Sequence, residues 1–285
     1  MLKRIYLEIS DYCNLACKFC TSPRRNKTML SLDDYKNIVN KINGHAKELY
    51  LHVLGEPLVH PYIFEMIDYA KNYFNVNITT NGRLIEKNHH KLLKAKISKM
   101  NISLNSSYDL DKDKLNSYLS SITSFIDDKQ KHDESIVFNL RLWAYDLNNT
   151  HTKTIIEYLE DYYRIKIENK NNLRLRPKVI LTFEDSFDWP SLANPYNTDK
   201  GTCLGLKTHI SILSNGDVGV CCLDTLCDSK LGNIFDSSLD EILNSSKAKE
   251  ILKGFNDNKL ILDICKHCTF HNRKWKCEEV LMWRN

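Results

Sequence analysis

The chain has 285 residues and a mass of 33.3 kDa, enough for one large barrel-type domain with a smaller appendage. Apolar residues make up 42% of it and charged residues 27%, which excludes a wholly disordered chain. The net charge of +4 is too small to indicate a nucleic-acid partner. No apolar run approaches the roughly 18 residues of a membrane helix, so we predict a cytoplasmic protein that does not bind membranes.

Short apolar runs alternate with amphipathic helical patterns over the first 185 residues. The runs predict six strands, at residues 5–9, 48–53, 76–80, 100–104, 136–142 and 173–181. The clearest helices begin at Ser31, Pro61 and Thr152 and carry apolar stripes at helical spacing. Six strand–helix units imply a parallel sheet but fall short of the eight that close a full barrel. We therefore predict an α/β fold with a partial (β/α)6 TIM-type barrel.

A different pattern begins after residue 200. Residues 186–200 contain turn-forming prolines and asparagines and are predicted to be a linker. A hairpin is expected at 208–221, because the Asn215-Gly216 turn separates two short apolar runs. A helix is expected at 238–254. These patterns predict a small, cysteine-rich α+β domain at 201–285, joined by the linker to a barrel at 1–185.

The ten cysteines fall into two groups. Three lie at positions 13, 17 and 20, and the other seven all lie between Cys203 and Cys277. In a reducing compartment such cysteines are more typical of metal sites than of disulfides. The distribution predicts one metal site at each end of the chain.

The first group, Cys13, Cys17 and Cys20, directly follows the first predicted strand. Three thiolates within eight residues can hold one soft metal centre. In a [4Fe–4S] cluster three protein ligands leave one iron open to a substrate or cofactor, as in catalytic metal sites generally. The alternative is a structural zinc knuckle, for which the sequence offers no nearby fourth ligand.

This motif resembles that of the radical S-adenosylmethionine (SAM) family, in which Cys-x3-Cys-x2-Cys follows the first strand of a partial barrel. Phe19, before the last cysteine, fits that pattern. The resemblance implies SAM contacts after successive strands, most directly from Glu56 to the SAM amino group. The implied set is Phe19, Gly55, Glu56, Pro57, Thr80, Asn81, Ser103, Asn105 and Arg141. Plain turns at Gly55-Glu56-Pro57 and Asn81-Gly82 remain the alternative.

The second group predicts a four-thiolate site at Cys203, Cys221, Cys265 and Cys268, which would leave a metal centre with no open position. The order of these features resembles the twitch and SPASM auxiliary-cluster domains of some radical SAM enzymes. A zinc ribbon is the alternative, although only one Cys-x2-Cys knuckle is present. Cys222, Cys227 and Cys277 are left over, and a further cluster on them stays open.

The resemblance implies a chemistry. A reduced [4Fe–4S] cluster would cleave SAM to a 5′-deoxyadenosyl radical that abstracts a substrate hydrogen, with an electron donor of the flavodoxin or ferredoxin type. An auxiliary [4Fe–4S] cluster would then accept an electron, giving a two-electron oxidation of a small molecule such as a sugar or cyclitol alcohol. The second hypothesis is a maturase that acts on a ribosomally made peptide. It is mildly disfavoured, because such enzymes often carry an additional N-terminal domain. The hypothesis without catalysis is an iron–sulfur electron carrier.

Overall fold

The computed structural model describes residues 1–21, 27–143, 149–168, 172–184 and 188–270. Its strands are β1 Arg4–Leu7, β2 Glu48–Tyr50, β3 Asn75–Thr80, β4 Lys99–Ser103, β5 Val137–Trp143, β6 Leu173–Arg176, β7 Val179–Glu184, β8 His209–Ile212, β9 Asp217–Gly219 and β10 Gly232–Asn233. Its α-helices are α1 Leu32–Ile42, α2 Ile63–Ala70, α3 Ile85–Lys94, α4 Lys112–His132, α5 Thr150–Tyr163, α6 Leu239–Leu243, α7 Ser246–Asn256 and α8 Asp263–Lys266. Two 3-10 helices span Pro57–Val59 and Leu104–Ser107.

The strands form one sheet in the order β10-β9-β8-β1-β2-β3-β4-β5-β7-β6. Pairing is parallel from β8 through β1 to β7 and antiparallel at both ends. Helices α1 to α5 follow successive strands, as crossovers in a parallel sheet require. The predicted α/β class, a partial barrel with a small C-terminal α+β part, is confirmed.

Helix α1 begins where the sequence predicts. The Ser31 side chain accepts a hydrogen bond from the backbone N–H of Asp34, which caps the first turn. Its buried face comprises Tyr35, Ile38, Val39 and Ile42, and these residues pack in the main hydrophobic core. Local capping and a 3.6-residue apolar period therefore suffice to specify this helix.

Two predicted elements are wrong in their extent. The single strand expected at 173–181 is a hairpin, in which β6 and β7 pair antiparallel around Lys178 at φ +63°. The single helix expected at 238–254 is two helices. Helix α6 ends at Leu243, and Ser245 caps the start of α7 by accepting a hydrogen bond from the Ala248 N–H, so a local side-chain contact replaces helix continuity.

The C-terminal hairpin is confirmed and joins the sheet. Strands β8 and β9 pair antiparallel, and β8 also pairs parallel with β1, so that Ile5 lies opposite Ile210. The buried carboxylate of Glu8 accepts hydrogen bonds from Ser214 N (3.2 Å), Ser214 Oγ (2.8 Å) and Leu54 N (3.2 Å). The chain segments before and after the predicted linker therefore share one sheet. The domain boundaries at 185 and 200 stay predictions, and residues 185–187 lie outside the described residues.

The two faces of the parallel strands differ in polarity. Alternate residues on one face, such as Ile78, Ile102 and Leu140, are fully buried in the main core. The other face is polar and carries a row of hydrogen bonds. Asn101 Nδ2 donates to Thr79 Oγ1 (3.1 Å), Asn139 Nδ2 to Asn101 Oδ1 (3.2 Å) and Thr182 Oγ1 to Asn139 Oδ1 (2.6 Å). Among the described helices, none has the length and apolarity needed to cross a membrane.

Candidate cluster sites and the polar barrel face

Cys13, Cys17 and Cys20 lie together on the loop that follows β1. Burial and, after it, the neighbouring thiols of Cys17 and Cys13 together raise the pKa of Cys20 to about 11. Two donors reach the first thiol: Leu15 N–H to Cys13 Sγ at 3.4 Å and Asn81 Nδ2 at 3.7 Å. Three thiols that oppose one another's ionisation fit a cationic metal centre, which stabilises all three thiolates at once.

The loop after β2 packs directly on the cysteine loop. Gly55 has φ +78°, and a Cβ at this position would lie 2.3 Å from the carbonyl oxygen of Ser10. Glu56 N–H donates to Tyr12 O at 2.8 Å. The close approach of these two backbones requires glycine at position 55, so this glycine does more than permit a turn.

The Glu56 carboxylate joins the loop after β2 to the loop after β3. It accepts hydrogen bonds from Leu58 N (3.0 Å), Thr80 Oγ1 (2.8 Å) and Asn81 N (2.6 Å). Burial raises the pKa of Glu56 to about 7 despite these three donors. A carboxylate has about four acceptor sites, so one remains for a further donor. Pro57 begins the adjacent 3-10 helix and is buried.

Asn81 connects this carboxylate to the cysteine loop. Its Nδ2 donates to Asn14 Oδ1 at 2.9 Å as well as to Cys13 Sγ, and its backbone carbonyl accepts from Tyr118 OH at 2.9 Å. The sequence-predicted residues Cys13, Glu56, Thr80 and Asn81 are therefore brought into one connected set. The sequence did not identify Asn14 or Tyr118 as members.

The remaining predicted contacts lie on the adjoining strands. Ser103 and Arg141 are register partners on β4 and β5, and buried Asn105 lies in the 3-10 helix after β4. Thr80 pairs with Ile102, the residue before Ser103, so this end of the sheet is continuous with the Glu56 set. The Phe19 carbonyl accepts a hydrogen bond from Trp189 Nε1 at 3.1 Å.

His52 and Tyr6 are polar-face residues that the sequence did not single out. The rings of Tyr6 and Tyr50 stack at 4.9 Å, and His52 lies edge-on to Tyr6 at 5.8 Å. Burial, with a further contribution from the charge of Arg141, lowers the pKa of His52 to about 3, so its imidazole is neutral near pH 7. A signal existed in the sequence: polar residues alternate within strands that a parallel sheet would normally make continuously apolar.

The second group of thiols converges around one cavity. Cys203, Cys221, Cys265 and Cys268 line it together with Pro190, Val220, Asp224, Ser229, Leu260 and Ile264. Burial and, after it, the neighbouring Cys221 thiol together raise the pKa of Cys203 to about 11. Burial also raises the pKa of Cys265, and the other three thiols add to the rise. The donor set fits a fully ligated iron–sulfur or zinc centre.

One backbone arrangement recurs at both sites. The N–H two residues after the cysteine donates to the sulfur at Cys203 (from Gly205, 3.4 Å), Cys221 (from Leu223, 3.4 Å) and Cys268 (from Phe270, 3.3 Å), as Leu15 does at Cys13. Hydrogen bonds to the sulfur stabilise a thiolate and tune the potential of an iron–sulfur cluster. The recurrence supports a ligand role for these four cysteines.

The three left-over cysteines differ from one another. Cys227 is buried and packs with Val53 and Leu213. Cys222 lies beside Cys221 and His209. Cys277 lies outside the described residues.

The buried Glu56 predicts a pH effect on stability. The pKa of Glu56 is raised in the folded chain. Its contribution to the free energy of unfolding is therefore complete below the ordinary pKa near 4.5, and it is lost as pH rises through about 7. We expect this group to lower the free energy of unfolding by about 3 kcal/mol between pH 4 and pH 8. In urea unfolding across this range, the free energy of unfolding of wild type should fall with pH by an amount that the Glu56→Gln variant does not show. The exposed Glu65→Gln is the control; identical pH profiles for wild type and Glu56→Gln would contradict the prediction.

Two family models match this chain, one around each group of cysteines. Residues 7–126 match the radical SAM superfamily model, and residues 203–269 match the SPASM model, an iron–sulfur cluster-binding domain. A probable GTP 3′,8-cyclase from Methanococcus maripaludis is 33% identical over 108 residues. That match covers 36% of this chain and 36% of the relative, so the chain spans about a third of the curated relative's length.

Two solved structures share the fold over most of the chain. BtrN in complex with AdoMet and 2-DOIA has a TM-score of 0.61 at 18% identity, covering 94% of this chain and 93% of that one. AnSMEcpe with bound AdoMet and a peptide has a TM-score of 0.60 at 16% identity, covering 90% and 84%. The radical SAM match implies SAM and a [4Fe–4S] cluster, and the SPASM match implies auxiliary iron–sulfur binding. Residues 7–126 are therefore similar to the radical SAM superfamily, and residues 203–269 are similar to the SPASM iron–sulfur cluster-binding domain.

Proposed function

We propose that this radical SAM enzyme carries out a two-electron oxidation of a small molecule such as a sugar or cyclitol alcohol. The observation that carries the proposal is the convergence of Cys203, Cys221, Cys265 and Cys268 around one cavity. Four thiolates saturate a [4Fe–4S] cluster, so such a cluster has no open iron for substrate and suits electron transfer. An auxiliary acceptor of this kind is what an oxidation requires.

The N-terminal set would hold SAM and its cluster. Cys13, Cys17 and Cys20 provide three thiolates, and the free acceptor position of Glu56 suits the SAM ammonium group. Thr80 and Asn81 orient that carboxylate, while Phe19, Ser103, Asn105 and Arg141 would contact the rest of the cofactor. When bound, SAM and its cluster would supply the hydrogen-abstracting chemistry, and a cluster held by Cys203, Cys221, Cys265 and Cys268 would supply an electron acceptor. A flavodoxin- or ferredoxin-type protein would donate the reducing electron.

The polar barrel face supports a hydroxyl-rich substrate. The row formed by Asn101, Asn139 and Thr182 presents amide and hydroxyl groups, which can both donate to and accept from alcohols. His52 Nδ1 is buried without a hydrogen-bond partner among the described residues, and its neutral imidazole can form a hydrogen bond with a substrate hydroxyl.

The second candidate is a maturase that modifies a ribosomal peptide. It is favoured by the structural likeness to anSMEcpe, whose structure contains a bound peptide. An electron carrier is disfavoured, because a carrier needs no Glu56–Asn81 arrangement beside an open three-thiol site.

The test measures both products. Reconstituted, reduced protein is incubated anaerobically with SAM and one probe at a time: myo-inositol, an aminocyclitol, a cysteine-containing peptide or GTP. We expect a cyclitol to accelerate 5′-deoxyadenosine formation and to yield a ketone in equal amount. Acceleration by the peptide or GTP alone, or by none of the four, would overturn the proposed substrate class.

A further inference from the structure

A third group of potential metal ligands lies beside the auxiliary site. His209 at the start of β8 and the adjacent Cys221 and Cys222 after β9 place one nitrogen and two sulfur atoms within 4.8 Å of one another. His209 and Cys222 belong to neither cysteine set described above. An imidazole with two thiolates is a donor set that zinc-class ions prefer.

The hydrogen bonds of His209 indicate which ring nitrogen is available. Thr208 Oγ1 contacts both Leu204 O and His209 Nδ1, each at 3.1 Å. A carbonyl oxygen only accepts, so both contacts are hydrogen bonds only if the hydroxyl proton is directed to Leu204 and Nδ1–H donates to the hydroxyl oxygen. This arrangement leaves Nε2 unprotonated and therefore able to bind a metal. A hydrogen bond on the distal nitrogen is also how metal-binding histidines are usually held.

The surroundings of the His209 Nε2 atom also favour a bound metal ion. His209 is 8% exposed, and Nε2 is buried without a hydrogen-bond partner among the described residues. Buried polar atoms in native proteins are nearly always satisfied, so an exception requires an explanation. Anionic thiolates offset the positive charge of a divalent ion, which lowers the free-energy cost of burying that ion.

We propose that His209, Cys221 and Cys222 bind a zinc-class divalent ion next to the auxiliary cluster, with the Cys221 thiolate shared between the two centres. Three protein ligands leave a fourth position for water or substrate oxygen. The rings of Tyr6 and His209 pack edge to face with their centroids 5.8 Å apart, which places the site against the polar barrel face. The proposed ion goes beyond the oxidation proposed above and does not depend on it.

Cobalt titration tests the site without any substrate. The protein is first reconstituted with iron and sulfide until its iron content is constant, so that both cluster sites are filled, and is then titrated anaerobically with Co²⁺ alone. We expect one Co²⁺ per chain to survive gel filtration. High-spin Co²⁺ should give an electron paramagnetic resonance signal, because oxidised [4Fe–4S] clusters are silent.

The variants distinguish this site from the cluster. Cys222→Ala and His209→Gln should each lose the retained cobalt while keeping the wild-type iron content, which also reports correct folding. Cys227→Ala, a buried thiol of the same domain outside the group, should keep both. Wild type without retained cobalt, or variants that retain it, would overturn the proposal. Loss of iron from Cys222→Ala would also overturn the proposed ion site, because it would show that Cys222 is a cluster ligand. The substrate assay of the proposed oxidation does not depend on that result.

Discussion

Alanine at positions 13, 17 and 20 is expected to reduce the iron content from about eight to about four atoms per chain and to abolish SAM cleavage. The physical reason is that the three thiols on the loop after β1 are proposed to hold a cluster with one open iron, and this open iron would bind SAM. The auxiliary thiols lie on a different part of the fold and should keep their four irons. Iron and sulfide analysis with anaerobic assay of 5′-deoxyadenosine measures both effects.

Cys227→Ala serves as the control, because it removes a buried thiol that belongs to neither predicted cluster set. It should retain about eight irons and wild-type cleavage. A triple variant that cleaves SAM as fast as wild type would refute the assignment of the N-terminal site.

Removal of the auxiliary ligands should uncouple the reaction. In Cys265→Ala/Cys268→Ala, we expect about four irons per chain, persistent formation of 5′-deoxyadenosine and loss of the oxidised product. The N-terminal loop and the Glu56 contacts do not involve these cysteines, so cofactor cleavage should survive. Without the acceptor, the electron left on the substrate has no route away, and the oxidation should stop.

Zinc analysis of wild type decides the competing explanation. About four irons with bound zinc, all iron being lost in the N-terminal triple variant, would make the C-terminal centre structural. The oxidation would then have no internal acceptor, and a redox-neutral rearrangement or epimerisation would become the better proposal.

The sequence predicted those features that depend on local spacing. The cysteine triplet, the Ser31 cap and the Asn215-Gly216 turn each lie within a few residues, and the structure places them as expected. The similarity to the radical SAM superfamily and the open α/β barrel followed from such local motifs in sequence order.

Features that depend on long-range contact were not predictable in the same way. His209 meets Cys222 only because β8 and β9 fold back as a hairpin. The three-donor environment of Glu56 needs two separate loops, and the polar row on the barrel face needs four strands in register. The split of the predicted 173–181 strand was missed because Arg176-Pro177-Lys178 turns within an otherwise continuous β-forming pattern.

The pairing of β1 with β8 has a consequence for how the protein is made. Arg4–Leu7 is an inner strand, but one of its neighbours, His209–Ile212, is synthesised much later. Until that segment leaves the ribosome, β1 has one unpaired edge, and Glu8, just before the cysteine loop, lacks its two hydrogen bonds from Ser214. The loop that carries Cys13, Cys17 and Cys20 therefore gains its full support only after residues 209–214 have been made, so stable cluster insertion should follow synthesis of that segment.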